Sequence, residues 1–471
     1  MNWDDYQGFL VDTLKEHRTP GASVGFARDG RMVHHHAYGL RDAEERLPVT
    51  PDTVYGVGSI TKSFTAVAIM QLQEQGRLSV HDPVRRWLPE YRTPDAAMAE
   101  ATTLHHLLTH TAGLPPLPTL RVAMRASLLA DPDLEDGELR KKLEAAKAVE
   151  TVEELMAFVA ETPFELLGPP GEKFSYSNDS WALLGAIVAR ASGEAYETYV
   201  ERHILGPAGM TRSTFSVETL DGWDDVATLY AEKREGGRHV VRRSPAWWAT
   251  GAMSAAGFLK SSARDMLRYA EIYRTGGVVD GTRILAEESV RAMTAPHAAA
   301  NSPVMAYGYG LMITPDYHGK KLVEHGGNIK GASAYLTVVP EAGLSCVALS
   351  NVTPTPGARL TLGAVNMALE LPVATPREAF GDHPCGAERL LAYTGDYVSG
   401  EGATVTVLAD RAGLVLCQEG ERFPARCVGE DWFAVRMRGQ ESRIGFLRDG
   451  AGEVSALTMG FRIIGRGKVS A

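Results

Sequence analysis

The residues between Pro372 and Pro384 divide this chain into two parts with different hydrophobic patterns. Beyond them lie short alternating runs at hairpin spacing: Thr404–Leu408, Gly413–Cys417, Phe423–Val428, Trp432–Met437, Ile444–Leu447, Val454–Met459 and Phe461–Ile464. Turn signals separate several of these runs, at Asp410-Arg411-Ala412-Gly413, Gln418-Glu419-Gly420 and Asp449-Gly450. Alternation broken at regular intervals by turns predicts a small antiparallel barrel or sandwich over 385–471. Residues 1–375 then form a separate and larger domain, and 471 residues suit two domains better than one.

The larger domain mixes periods. Trp3, Tyr6, Phe9, Leu10 and Leu14 predict an amphipathic helix over residues 3–17. Asp29-Gly30 between two apolar runs predicts a hairpin. A further helix starts near Ile60, with Phe64, Val67, Ala68 and Leu72 forming one buried stripe. Strands followed by helices indicate an α+β class. Residues 119–162 are charged and helix-prone after a proline-rich entry. They form an insertion, open to two readings: a lid or pocket wall, and a solvated helical pair.

Chemistry concentrates in three places. Val57-Gly58-Ser59-Ile60-Thr61-Lys62-Ser63 puts a serine at a helix start and a lysine three residues later on the same face. A serine hydroxyl needs a base to become a nucleophile, and a lysine whose pKa is lowered by burial or a cationic neighbour supplies one. Helix N-terminal amides of the same turn are suited to an oxyanion. Taken alone, the pair is weak, and a helix cap followed by a surface lysine is the better account of it. In Phe174-Ser175-Tyr176-Ser177-Asn178-Asp179, extended backbone points Tyr176 and Asn178 the same way, a proton shuttle beside a substrate clamp. Capping of the following helix by Asn178 or Asp179 is the plainer account. In His325-Gly326-Gly327-Asn328, two glycines within β-rich sequence suggest a strand edge stripped of side chains, along which a ligand lies, with His325 projecting into the site. A plain turn is the alternative.

Other features carry less. Gly21-Ala22-Ser23-Val24-Gly25 matches the nucleophile elbow, which needs a strand before it and a helix after it; here a proline precedes and a strand follows. Gly56 to Thr61-Lys62-Ser63 lacks the second glycine of a phosphate loop. His34-His35-His36 alternate faces along a strand, and His106 and His110 lack the glutamate of a zinc helix, so both groups, with His105, read as structural. Four unpaired-looking cysteines suggest neither zinc nor a disulfide framework, and no metal or cofactor is expected. A net charge of -10 disfavours nucleic acid and anionic membrane as partners. Met1-Asn2-Trp3-Asp4-Asp5-Tyr6 shows no secretory leader, and no apolar run is long enough to span a bilayer, so a cytoplasmic location is expected.

In order, Ser59-x-x-Lys62, Tyr176-x-Asn178 and His325-Gly326-Gly327 resemble the three-motif set of the penicillin-recognising serine hydrolases, in their class C β-lactamase-like branch. Pro20-Gly21-Ala22-Ser23-Val24 and His106-Leu107-Leu108-Thr109-His110-Thr111-Ala112-Gly113-Leu114 support the resemblance, which covers residues 5–370. The C-terminal part is similar to the lipocalin-like barrel that follows this domain in some peptidases and peptide-cyclising relatives. The resemblance implies a β-lactamase/transpeptidase-like antiparallel sheet flanked by helices, with an all-helical region beside it. By the same resemblance Ser59 accepts the acyl group, Lys62 and Tyr176 share the base and acid roles, and Asn178 holds the substrate amide. The backbone amides of Ser59 and Asn328 then form the oxyanion hole. Many members begin the third motif with a lysine that recognises a carboxylate; here His325 stands there, neutral or nearly so at pH 7. That leans away from β-lactams and towards aminopeptidases, amidases and esterases, some selective for D-residues. The implied partner is a small-molecule or short peptide substrate. Trp247-Trp248 and Tyr307-x-Tyr309 suit aromatic pocket walls and core packing equally. A carboxylesterase, an acyl transferase or peptide cyclase, and a non-catalytic binding protein on the same scaffold are the alternatives. The barrel either caps the active site or builds a homo-oligomer interface.

Overall fold

The computed structural model describes residues 3–410, 413–437 and 440–467. Arg411 and Ala412, within the first barrel turn signal, and Met1 and Asn2 of the N-terminus lie outside the described residues.

Helix α1 (Trp3–Glu16) precedes the hairpin β1 (Gly21–Arg28) and β2 (Arg31–Asp42). Its turn is Asp29-Gly30, both residues at positive φ (49° and 77°), the backbone twist that two-residue hairpins favour. Helices α2 (Thr61–Glu74), α3 (Asn178–Ser192) and α4 (Ala263–Thr275) follow at long intervals. Strands β3 (Met312–Tyr317), β4 (Lys320–Ile329), β5 (Ala332–Val339) and β6 (Leu344–Ser350) then run to helix α5 (Gly357–Ala368). All lie in one nine-stranded antiparallel sheet in the order β3-β4-β5-β6-β1-β2, with short edge strands at either side. The first and last parts of the domain therefore meet at the sheet centre, where β1 pairs with β6 from Ala22↔Ser350 to Arg28↔Leu344.

The sheet is covered on both faces. Tyr6, Leu10 and Leu14 of α1 and Leu360 and Val365 of α5 pack with Val24, Phe26 and Cys346 on one side. The helical region packs with Val347, Leu349 and Leu336 on the other. Each such fully buried apolar side chain contributes about 1.5–3 kcal/mol. Double coverage explains why β1 reads as continuous apolar sequence instead of alternating. The sequence pattern predicts a single buried stripe on α2, yet the structure buries every residue from Thr61 to Leu72. The reason is tertiary: α3 and residues 254–257 pack on the flanks that the pattern leaves to solvent.

The insertion is four short helices, Thr119–Ala123, Arg125–Ala130, Gly137–Ala145 and Val152–Glu161, where the sequence suggests a pair. The C-terminal part is a closed eight-stranded antiparallel barrel. It has one strand more than the seven alternating runs: Gly395–Val398 is four residues long, and it pairs with the last strand (Tyr397↔Arg466) to close the barrel. Helix Ala387–Ala392 sends Leu390 into the barrel core, where Tyr393, Phe433 and Phe446 cluster. Among the described residues no helix is long and apolar enough to cross a membrane.

Candidate active site

Ser59 lies in a single 3-10 turn (Gly58–Ile60) that leads directly into α2. Two contacts hold the turn: the Val57 amide donates to Leu259 O (3.0 Å), and the Thr61 hydroxyl donates to Gly58 O (2.7 Å). The side chain of Lys62 points back along the helix and is fully buried. Its Nζ lies 3.2 Å from Ser59 Oγ, 2.9 Å from Asn178 Oδ1 and 2.6 Å from Ala256 O. Burial holds its pKa well below the ordinary lysine value, with the Arg462 cation adding to the effect and Glu401 opposing it. A neutral amine has two hydrogens and one lone pair. Two of the three neighbours are carbonyl oxygens that can only accept, so the lone pair is left for the Ser59 hydroxyl. The geometry is that of a base facing a nucleophile.

Tyr176 lies beside this pair, its ring 4.8 Å from Lys62 Nζ. Burial pushes its phenol up, while the neighbouring Ser59 hydroxyl works the other way, so the phenol keeps its proton at neutral pH. His110 supports it from behind: the rings stack at 4.2 Å, and the Ser177 amide donates to His110 Nδ1 (2.9 Å). His110 reaches this place because the helix Leu104–Leu108 stops two residues before it and His110 takes φ 58°. The cap of α3 is Ser177, whose hydroxyl accepts from the Ser180 amide. Neither Asn178 nor Asp179 serves as that cap, which leaves the Asn178 amide for the site.

The third motif lies on β4. Strand β3 pairs with it only as far as Glu324, so from His325 to Ile329 one edge of β4 lacks a strand neighbour and faces the serine turn. Glycine is required on both sides of that approach. A Cβ on Gly327 would stand 2.0 Å from Val57 O and 2.7 Å from the Ser59 amide. One on Gly58, at φ 51°, would stand 2.6 Å from the Asn328 amide. These close backbone approaches bring the Ser59 and Asn328 amides to the same spot. His325 lies in the cavity wall with both nitrogens engaged: Nδ1 donates to Gly326 O (2.6 Å), and Nε2 accepts from the Tyr307 hydroxyl (3.0 Å). Burial and nearby Lys62 hold its pKa down at about 3, so the ring is neutral. The Asn328 side chain turns away, its Oδ1 accepting from Ser333 and Thr353.

A cavity of about 1220 Å³ opens over Ser59, lined by Tyr176, Asn178, His325 and Gly327. The insertion supplies Leu120 and Met124 to its wall, and Trp248 adds an aromatic face. The insertion is thus a pocket wall. A buried ion pair between its Asp131 and Lys330, just past the glycines, fastens it to the sheet, and the Trp248 indole also donates to Asp131 (2.8 Å). Tyr307 and Tyr309 are core residues; the Tyr307 hydroxyl donates to His325, and its ring meets those of Tyr176 and His110 edge-on.

Sequence reasoning missed two residues, both from the barrel. Arg462 lies in the cavity wall with its guanidinium 5.0 Å from the Tyr176 ring, and its Nε lies 2.6 Å from Glu401 Oε2. Glu401 in turn accepts from Asn178 Nδ2 (3.3 Å). The hairpin turn Gly460-Phe461 docks beside them: the Tyr176 amide donates to Phe461 O (2.9 Å), and the Ile463 amide donates to Ser175 Oγ (3.2 Å). No local motif marks these positions, because their partners Tyr176 and Asn178 are more than two hundred residues away in sequence.

Ser23 of the elbow-like match also has a histidine partner, with Oγ 2.8 Å from His35 Nε2, but it is fully buried on β1. A good hydrogen bond without a cavity makes a structural pair. The other flagged histidines are structural too. His34 stacks on Trp3, His106 Nδ1 accepts from the Thr103 amide, and His105 bonds Tyr309. Among the described residues no group of three or more His, Cys, Asp or Glu side chains is placed to hold a metal ion.

A two-faced antiparallel sheet with a buried lysine behind a turn serine, facing a glycine-lined strand edge, defines the serine hydrolase fold of β-lactamases and penicillin-binding proteins. The chain belongs to the beta-lactamase family, whose profile matches residues 7–368. An uncharacterized protein of Mycobacterium tuberculosis, MT1414, is 30% identical over 311 residues, which cover 62% of this chain and 72% of the relative. Protein flp of Staphylococcus aureus is 25% identical over 349 residues, 73% of this chain and 62% of that one. The similarity to solved structures includes the barrel. The octameric penicillin-binding protein homologue from Pyrococcus abyssi covers 98% of this chain and is itself covered completely (30% identity, TM-score 0.70). A crystal structure of SurE covers 98% of the chain and is covered over 98% of its own length, at 27% identity and TM-score 0.69, and SurE with D-Leu also covers 98% of the chain (26%, 0.66). A D-stereospecific amidohydrolase from Streptomyces covers 77% of this chain, with 97% of its own length aligned (26%, 0.60).

Proposed function

We propose that the protein is a serine hydrolase forming an acyl-enzyme at Ser59 on small peptide or amide substrates, with preference for a D-residue at the acyl position. The observation that carries this reading is the valence of Lys62: two carbonyl acceptors and one hydroxyl surround a buried amine, which suits a general base for Ser59. In the proposed cycle Lys62 takes the Ser59 proton as Oγ adds to the substrate carbonyl. The amides of Ser59 and Asn328 receive the oxyanion. Tyr176, protonated at neutral pH, gives a proton to the leaving amine, and Lys62 replaces it. Water then enters through the same groups and releases the acid. Asn178 Nδ2 and the free edge of β4 hold the substrate backbone. His325, neutral and bonded at both nitrogens, offers no cation for a carboxylate, which disfavours β-lactams as substrates. The D-preference rests on similarity to the D-stereospecific amidohydrolase and to SurE solved with D-Leu. The octameric neighbour makes a homo-oligomer the expected state.

The test is intact-protein mass spectrometry with an alkyl fluorophosphonate, then a panel of matched D and L aminoacyl amides and esters. One adduct on Ser59, absent in Ser59→Ala and slowed at least a hundredfold in Lys62→Met, is expected, with turnover of D-amides. Turnover of esters alone would replace the amidase with a carboxylesterase. Products joined to an added amine would make it an acyl transferase. No adduct on the folded protein would remove the acyl-enzyme altogether.

A further inference from the structure

We propose that Glu401, a residue of the C-terminal barrel, is a positioning residue of the catalytic centre: it holds the Asn178 amide in the orientation that leaves the Lys62 lone pair free for Ser59. The proposal rests on the acyl-enzyme reading above and adds to it a part that the hydrolase domain does not itself carry.

The two ends of an asparagine amide are similar in shape and opposite in hydrogen bonding. Here Oδ1 faces Lys62 Nζ at 2.9 Å, and Nδ2 faces Glu401 Oε1 at 3.3 Å. Turned over, Nδ2 would donate to Lys62 and occupy its lone pair, while Oδ1 would meet the carboxylate, acceptor against acceptor. An ionised carboxylate only accepts, so Glu401 excludes the flipped state. Glu401 sits in a tight loop between barrel strands Gly395–Val398 and Thr404–Ala409, where the Gly402 amide donates to Ser399 O (2.8 Å). The loop is wedged against the start of the insertion. A Cβ on Gly400 would fall 2.1 Å from Pro116 O, and Gly402, at φ 93°, abuts the Arg121 guanidinium. The wedge fixes where the carboxylate can stand.

Arg462 makes this arrangement compatible with a neutral base. A lone carboxylate near Lys62 would favour the ammonium form, and the Arg462 guanidinium 2.6 Å from Glu401 cancels it. The titratable or charged groups facing Lys62 are Tyr176, His110, His325, Arg462 and Glu401. Burial keeps the phenol and both imidazoles uncharged, which leaves the ion pair as the nearby charge that adjusts a lysine already lowered by burial.

The experiment measures the rate of fluorophosphonate labelling at Ser59 across pH in the full chain, with melting curves to confirm folding. Glu401→Ala is expected to slow labelling by about tenfold, the rate equivalent of one charge-assisted hydrogen bond. Glu401→Gln, whose amide can turn its NH2 towards a flipped Asn178 Oδ1, no longer excludes that state and is expected to lose part of the rate even at its own optimum. In an Asn178→Ala background Glu401→Ala should cost nothing further, since no amide remains to orient. Arg462→Gln should move the acid limb of the pH profile upward and Glu401→Gln downward. Full additivity with Asn178→Ala, a wild-type rate in Glu401→Gln at its own optimum, or a wild-type rate in Glu401→Ala would each overturn the proposal while leaving the acyl-enzyme standing. A wild-type chain that takes no label at Ser59 would overturn both.

Discussion

At the scale of single residues the site shows how burial selects among identical side chains. The protein has many lysines, and Lys62 differs from the surface ones by being enclosed where its amine meets two carbonyls and a hydroxyl. Next to it in the fold, Asp179 is enclosed without such company. Among the described residues its Oδ1 has no hydrogen-bond partner, and burial raises its pKa to about 7. The folded state therefore binds this proton more tightly than the unfolded chain does. Its contribution is most favourable below the ordinary carboxylate range and is lost as pH rises towards 7. Asp179→Asn should flatten that slope and add about 1–3 kcal/mol at pH 8, because it removes a buried charge that the ionised carboxylate carries there. Urea denaturation of both proteins from pH 4 to 8 reads this directly, and parallel curves would refute it. The elevated pKa is invisible in sequence, where Asp179 looks like an ordinary residue of a helix first turn.

At the scale of elements, the site is a meeting of a helix start with an unpaired strand edge. Two glycines, Gly58 and Gly327, allow the meeting, and each would place a Cβ against the other segment's backbone. Backbone cannot swing aside as a long side chain can, so Gly327→Ala must push β4 away from the serine turn. The expected result is at least a hundredfold loss of Ser59 labelling, as for removal of an oxyanion donor, with a melting temperature lowered only modestly. A labelling rate near wild type would mean that the Asn328 amide has no part in the reaction. Both glycines stood out in the sequence because each lies beside a catalytic-type residue. The partner of each glycine did not, since the contact joins segments some 270 residues apart (58 and 327).

At the scale of the whole molecule the barrel is part of the site, and the linker is part of the sheet. Arg377, in the linker, is half-buried and pairs at 2.8 Å with the fully buried Glu324 on β4, one residue before His325. The Glu324 carboxylate also accepts from Thr337. Removing one partner of such a pair leaves a buried charge uncompensated. Arg377→Met should therefore destabilise the protein by about 3–5 kcal/mol, and Glu324→Leu in the same chain should recover much of it. Denaturation of the single and double variants measures this, and additive losses would show that the two side chains do not act as a pair.

The sequence alone carried the α+β class of the first part and the all-β class of the second, and it displayed a pattern change near 372–384 and three short motifs at their spacing. These are local matters: period, turn chemistry and the spacing of a serine and a lysine on one helix turn act over a few residues and are written in them. Tertiary structure decided what those residues become. It buried α2 on all sides, stopped the helix before His110 so that the ring could back Tyr176, and closed the barrel with a four-residue strand too short to show a pattern. It also brought Glu401 and Arg462 to Asn178 and Tyr176 across more than two hundred residues. A carboxylate's charge and a lysine's lone pair act over a few ångströms in space, and only the folded chain sets those distances.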